Sequence, residues 1–501
     1  MVENRLSLRR VKQHINSVCQ RYSSVGLLLL SLLLAEFGLF LVCSLIILCY
    51  PLDAAYGEGI LLNQAHLLSH GLPIYKSVHD YPYTVAIYTP LYYVMMAVLF
   101  KVTGVSLLVG RALSLLAALA IGAMIYALVH KNSGQRFIAA CAALLFYSFP
   151  LVRWETLFRP DMLAVALSLA GIFVFTRSQG DRRLYLAGSL FVASFLTKQS
   201  YVTGLLAVTA FLLLTDLRSA LKFIGWTSSL TLLALTCFQI LSGGWFLFDT
   251  VVLNSNALSF KRIGAAFSVI VIFELPFVMI VVAYLGFARR KDDMLFALYL
   301  AATAWHLFAT AKAGSASNYL LEPQAALSIM VGLALQWLLI KKRLPVTNRP
   351  LWNRFAFIGL VYLAIVTVFT SGELHVRAAN ALEARATLPY LTEIVKSVPG
   401  PVLSDEISLL VLAGKPVYFE PFLFSLLAKE GKWDPRPLVA RIRAQEYDLL
   451  VLGHELSRPL SSYHGIESWH NDIWSEMRAQ YQLVHQVGPF YVYEPKGKRY
   501  L

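Results

Sequence analysis

Hydrophobic and polar positions in this chain segregate into long blocks instead of alternating over short ones. Apolar runs fall at roughly 25–49, 86–103, 107–130, 137–151, 160–177, 184–197, 200–215, 222–242, 265–288, 294–311, 320–340 and 354–371. About 20 apolar residues in a helix span the hydrocarbon of a bilayer, so the pattern predicts an α-helical polytopic membrane protein. The 86–103 run is short and contains Pro90. It is expected to enter the membrane face as a re-entrant segment without crossing, which leaves about eleven transmembrane helices. From residue 372 the pattern changes. Short apolar runs at 401–404, 416–419, 447–452 and 490–493 are interleaved with helical patterns at 405–413 and 437–446, which predicts a small C-terminal α/β domain outside the membrane. The chain thus divides into a basic tail over 1–24, a transmembrane domain over 25–371 with its first loop at 50–106, and a soluble domain over 372–501.

Composition agrees with this division. Of 501 residues 57% are hydrophobic and 14% charged, where soluble domains carry about 25% charged residues. A net charge of +14 suits a nucleic-acid partner, but its distribution argues against one. Residues 372–501 hold 14 Lys and Arg against 15 Asp and Glu, so the surplus lies between the apolar runs, as the positive-inside rule requires. With 86–103 not crossing, the tail (Arg5, Arg9, Arg10, Lys12 and Arg21) and the basic loops at 131–136, 177–183, 218–222, 289–291 and 341–354 all fall on one side. A twelfth crossing would put the last of these loops outside. The expected topology is a cytoplasmic N-terminus and an extracytoplasmic C-terminal domain in the inner (plasma) membrane. Cys19, Cys43, Cys49, Cys141 and Cys237 form neither a disulfide framework nor a zinc spacing. The 25–49 run is too long for a signal peptide and lacks an A-x-A site, so it reads as a retained anchor.

The same parity brings the polar interruptions to the outer face. Asp53, in PLDAAYGEG, is either a loop-solvating charge or a general base that activates an acceptor hydroxyl beside a lipid phosphate. Glu58 follows five residues on, too far for the same helical face, so it either supports the site from behind or binds a sugar hydroxyl. In LFRPDMLAVALSLAG, Pro160 suits a first helical position and Asp161 the first turn. Arg159 and Asp161 are either interfacial charges or, with Arg153 and Glu155, part of a site. Lys198 and Gln199, in FLTKQSYVTG, have the makings of an anion site, as do Lys312, Asn318, Tyr319 and Glu322 in TAKAGSASNYLLEPQ. Ionisable groups at membrane depth are functional candidates by default. His66, His70 and His79 lack metal spacing and read as surface residues. Basic groups beside carboxylates suit a lipid-linked phosphate held by Lys or Arg, and no G-x-G-x-x-G or Walker motif marks a nucleotide donor.

Across residues 50 to 325, DAAYGEG, GLPIY, YTPLYYVMMAVLF, GRALSLLAAL, FRPDMLAVALSLAG, TKQS and KAGSASNYLLE run in an order and spacing that resemble polytopic glycosyltransferases of the GT-C fold. The resemblance is to family 39-like enzymes, related to protein O-mannosyltransferases and to the aminoarabinose transferases of lipid A. It implies a polyprenyl-phosphate sugar donor and an inverting transfer at the outer face to a lipid, glycan or protein acceptor. It also implies Asp53 as catalytic base. Glu58, Arg159 and Asp161 match positions that line the family's site, and Lys198 looks like a phosphate contact. In several relatives two acidic residues adjoin in the first loop, whereas here Ala54 follows Asp53. No resident cofactor is expected, and a divalent cation stays open. The alternative is a transporter or flippase of lipid-linked sugars, which calls for inverted repeats and polar breaks near the midplane. No repeat is visible, and the breaks gather at one face.

Overall fold

The structure is a computed structural model. It describes residues 24–149, 154–255, 258, 263–264, 267–268, 274–288, 293–312, 315–340, 349–460, 462–463 and 466–498. The basic tail before residue 24, Arg153, and the basic stretches 289–291 and 341–348 lie outside the described residues.

Three described helices, Gly26–Leu48, Leu107–Ser133 and Leu217–Leu241, are long and apolar enough to cross a membrane. Each turns leucines outward: Leu45, Leu116, Leu232 and Leu241 are exposed. A helix apolar around its whole circumference is stable where its outer face also meets hydrocarbon. Shorter helices, among them Asp161–Arg177, Arg182–Thr197 and Leu321–Ile340, pack with them around a core that includes Ile121, Phe146, Leu169 and Ile329. The 86–103 run folds as the Leu91–Thr103 helix, which starts behind Pro90 and has 13 residues. It reaches about 20 Å, short of the ~30 Å of a hydrocarbon core.

Two features depart from the expected outline. The first loop is not irregular throughout, because Glu58–Ser69 forms a helix that buries Leu61, Leu62 and Ala65. The change in composition at residue 372 falls inside one continuous helix, Arg349–Ser397, of 49 residues. That helix packs on Ser24–Leu48 at one end and on the Tyr481–Val487 strand at the other.

Beyond it lies a four-stranded sheet. Val402–Ser404 pairs in parallel with Leu449–Leu452, with Leu403 opposite Leu450. Leu449–Leu452 pairs antiparallel with Phe490–Pro495, which pairs antiparallel with Tyr481–Val487. The apolar run 416–419, expected to be a strand of this domain, stays out of the sheet. It grips the first loop instead: Tyr83 N–H donates to Tyr418 O at 2.8 Å, and Glu420 N–H donates to Tyr83 O at 3.1 Å.

Loop and domain share a core. Leu61, Leu62 and Tyr92 pack in one cluster with Val402, Ile407 and Leu409. Val78, Tyr83 and Val85 pack in another with Phe419, Trp433 and Trp469. The Glu58–Ser69 helix lies so close to the Ile407–Leu412 helix that a Cβ on Gly59 would stand 2.4 Å from the Ser408 backbone nitrogen. Gly59→Ala must therefore push the two apart, and overpacking of this kind costs about 1–3 kcal/mol. Thermal unfolding of the purified variant in detergent should show a lowered midpoint.

Candidate active site

The first loop is held by an ion pair with no exposure on either side chain. Arg111, in the first turn of Leu107–Ser133, meets Glu58 through Nη2–Oε2 at 2.7 Å and Nε–Oε1 at 2.9 Å. Glu58 Oε1 also accepts from Phe158 N–H at 2.6 Å, and Oε2 from Ala54 N–H at 2.7 Å. The remaining guanidinium hydrogens reach the carbonyls of Ile47, Tyr50 and Leu52. With each oxygen accepting twice and fully buried, Glu58 has no capacity left for a sugar hydroxyl. Its position here is that of a loop anchor.

Asp53 stands at the junction with the C-terminal domain. Its Oδ2 accepts from Gly59 N–H at 3.0 Å, and its own N–H donates to Glu406 Oε1 at 3.2 Å. Oδ1 is buried and accepts no hydrogen bond. Burial, and then the Glu58 charge, raise the Asp53 carboxyl to about 7. Burial and the neighbouring Asp53 hold Glu406 well above the carboxylate range. The two carboxyls therefore resist being charged at the same time.

Beside this junction a cleft opens between membrane helices, first loop and C-terminal domain. It encloses about 900 Å³ of empty space, solvent included. Arg159, Lys198, Lys312, Asn318 and Tyr319 all line it, brought from segments up to 160 residues apart in the sequence. Arg159 donates to Tyr56 O at 3.0 Å and lies over the Trp154 ring, 4.9 Å from its centroid. It can do so because residue 57 is a glycine with φ +93, where a Cβ would sit 2.2 Å from Arg159 Nη1. Lys198 is flanked by the Tyr88 and Tyr319 rings at 5.0 and 5.1 Å. Lys312 donates to Asn254 Oδ1 at 2.6 Å. Burial first, then the nearby Lys198 and Lys432, lower Lys312 to about 8. Three cations in one partly desolvated cleft are poised for an anion.

The other sequence candidates stand behind this lining. Asp161 is fully buried, and its Oδ1 accepts from Lys198 Nζ at 2.6 Å, Asn318 Nδ2 at 2.7 Å and Tyr201 OH at 3.0 Å. It aims the groups that line the cleft without lining it. Gln199 Nε2 donates to Ile87 O at 2.9 Å and Thr250 O at 3.0 Å, clamping the loop ends. Glu322 lies deeper, accepting from Ser168 and Tyr299 and paired with His306 Nε2 at 2.9 Å. His66 and His70 pack ring against ring at 4.6 Å on the outward side of their helix. Among the described residues no three His, Cys, Asp or Glu side chains are grouped to hold a metal ion.

Several lining residues escaped the reading of the sequence: Tyr56, Asn254, and, from the C-terminal domain, Glu420 and Phe422. Arg111 left a usable signal, since an arginine inside an apolar run demands a buried partner. Glu420 left none, because its place in the cleft depends on how the domain docks.

Residues 87–242 match the sequence model of the dolichyl-phosphate-mannose-protein mannosyltransferase family. That segment contains Arg111, Arg159, Asp161 and Lys198. No curated protein sequence matches the chain. Among solved structures, ArnT from Cupriavidus metallidurans bound to undecaprenyl phosphate superposes with a TM-score of 0.60 at 12% identity, over 92% of this chain and 97% of that one. The apo form of the same protein gives 0.59 at 13% identity, over 91% and 97%. The fold is shared over nearly the whole of both chains.

Two outcomes follow from the loop anchors. Glu58→Gln leaves Arg111 buried with a weakened partner and should lower stability by about 3–5 kcal/mol in thermal or denaturant unfolding. Adding Arg111→Met should return part of that loss, because the uncompensated charge goes with it. The raised Asp53 and Glu406 carboxyls mean that the folded state keeps protons which the unfolded chain releases near pH 4. The Asp53 contribution to stability is therefore fully present below about pH 4 and is lost as pH rises through about 7, and the Glu406 contribution is likewise present at low pH and lost as pH rises through its own raised value. Glu406→Gln should flatten the fall of the unfolding midpoint between about pH 5 and about pH 8 relative to the wild type.

Proposed function

We propose that this chain, with its GT-C fold and its mannosyltransferase-family segment, is a membrane glycosyltransferase. It moves a sugar from a polyprenyl-phosphate carrier to a lipid, glycan or protein acceptor at the outer face of the inner membrane. The observation that carries the reading is the cleft in which Arg159, Lys198 and Lys312 converge beneath the C-terminal domain. A phosphate group there would be held by charge-assisted hydrogen bonds. Asp161 would keep Lys198 charged and aimed, and the bilayer beside the cleft would take the prenyl chain. About eleven crossings, with the N-terminus inside and the C-terminal domain outside, put this cleft at the outer surface.

Asp53 is the proposed base. A carboxyl near 7 matches the best pKa for proton abstraction at neutral pH, and its Oδ1 has no partner. It would take the acceptor hydroxyl's proton as that oxygen attacks the anomeric carbon. The carbon–phosphate-oxygen bond breaks on the opposite face, which inverts the configuration, and the negative charge that develops on the leaving phosphate is met by the cleft's cations. Glu58 and Gln199 contribute by holding the loop, and Glu322 by supporting the helices behind Asn318 and Tyr319.

A flippase would also hold a lipid phosphate, but it would move the lipid-linked sugar intact and leave the carbon–phosphate-oxygen bond unbroken. Purified protein supplied with polyprenyl-phosphate sugars and acceptor should release polyprenyl phosphate. In Asp53→Asn that release should fall by about 10²–10⁴-fold, while undecaprenyl phosphate still binds and the unfolding midpoint is no lower than in the wild type. Undiminished transfer by Asp53→Asn would remove the residue from the base role.

A further inference from the structure

The cleft's roof carries a carboxyl that neither the phosphate site nor the base accounts for. Glu420 lines the cleft and is only 4% exposed, and its Oε2 is buried without a hydrogen-bond partner. Its backbone is rigidly placed. Glu420 N–H is tied to Tyr83 O, and the next residue, Pro421, begins the Pro421–Lys429 helix. Burying a carboxyl unpaired is costly, and a buried polar atom with no partner calls for a ligand, an ion or a water.

Neutralising the cations does not explain it. Arg159 donates to Tyr56 O, Lys198 to Asp161 and Lys312 to Asn254. Burial alone raises the Glu420 carboxyl to about 8. At neutral pH it is mostly an uncharged acid, with one O–H to donate and a carbonyl oxygen to accept. Aromatic rings share the cleft with it: Phe422 packs on Tyr56 with centroids 5.1 Å apart, and Tyr93 and Tyr88 are also part of the lining.

We infer that Glu420 is the sugar-recognising side chain of this cleft, which the C-terminal domain inserts to hydrogen-bond hydroxyl groups of the transferred sugar while the adjoining rings cover its apolar face. This rests on the glycosyltransferase reading and deepens it. A phosphate needs donors and is served by the basic wall. A prenyl chain needs no polar atom. A sugar presents neighbouring hydroxyls, each donor and acceptor, and C–H faces, and it matches the acid together with its rings. The C-terminal domain is then part of the substrate site and supplies its sugar selectivity.

The test compares a ligand with and without its sugar. Full-length protein in nanodiscs is titrated with undecaprenyl phosphate alone and with undecaprenyl phosphate carrying mannose, glucose or arabinose. Glu420→Ala should weaken binding of the sugar-bearing ligand that the wild type prefers by about tenfold or more, with undecaprenyl phosphate affinity unchanged. Glu420→Gln, which keeps a donor and an acceptor, should retain most of the affinity. Unfolding midpoints of both variants should be no lower than that of the wild type. Equal losses for both ligands, or no loss for either, would overturn the assignment, as would a glutamine variant as impaired as the alanine one. Wild-type protein that binds none of the four ligands would defeat the glycosyltransferase reading itself, and this inference with it.

Discussion

The buried pair between Glu58 and Arg111 is the constraint on which the rest of the site depends. Two charges with no solvent access are tolerated only when their hydrogen bonds are satisfied. Here the satisfying groups are the backbone of two separate segments: the stretch Ile47–Ala54, from the end of the first membrane helix into the loop, and Phe158 just before Arg159. The pair therefore sets the distance between the first loop and the entry to the Asp161–Arg177 helix. Arg159 follows Phe158 directly and reaches Tyr56 O across the gap that results. The pair thus ties one wall of the cleft to the other from within the protein.

The C-terminal domain completes this arrangement instead of hanging from it. Its hydrophobic core is continuous with that of the first loop, so the two fold as one layer above the membrane helices. Burial at the seam then alters the chemistry of carboxyls placed there. Asp53, Glu406 and Glu420 all lose hydration and all rise toward or beyond neutrality. A single structural fact, a domain docked on a loop, thus accounts for one carboxyl raised to about 7 and another raised to about 8.

Much of the architecture could be read from the chain. The Leu91–Thr103 helix falls where Pro90 and a short apolar run predicted a segment too short to cross. The sheet strands at 402–404, 449–452 and 490–495 coincide with three of the four short apolar runs. The candidates divided according to what each side chain must reach. Arg159, Lys198, Lys312, Asn318 and Tyr319 meet in the cleft because they occupy helix ends on one face, which periodicity and charge parity reveal. Glu58 and Asp161 stand in that same layer but turn inward. Whether a carboxylate meets solvent or an arginine 53 residues away is not encoded in its own neighbourhood.

The sequence by itself determined which segments are helical and apolar, that a sheet-forming part follows them, and which polar groups gather at one end, because these follow from local periodicity and hydropathy. Only the tertiary structure decided which of those groups are anchors and which face the cleft. It alone brought Phe419 to Tyr83, Glu406 to Asp53 and Glu420 to the roof. Those contacts join residues more than 330 positions apart, and their geometry and desolvation exist only once the domain has docked.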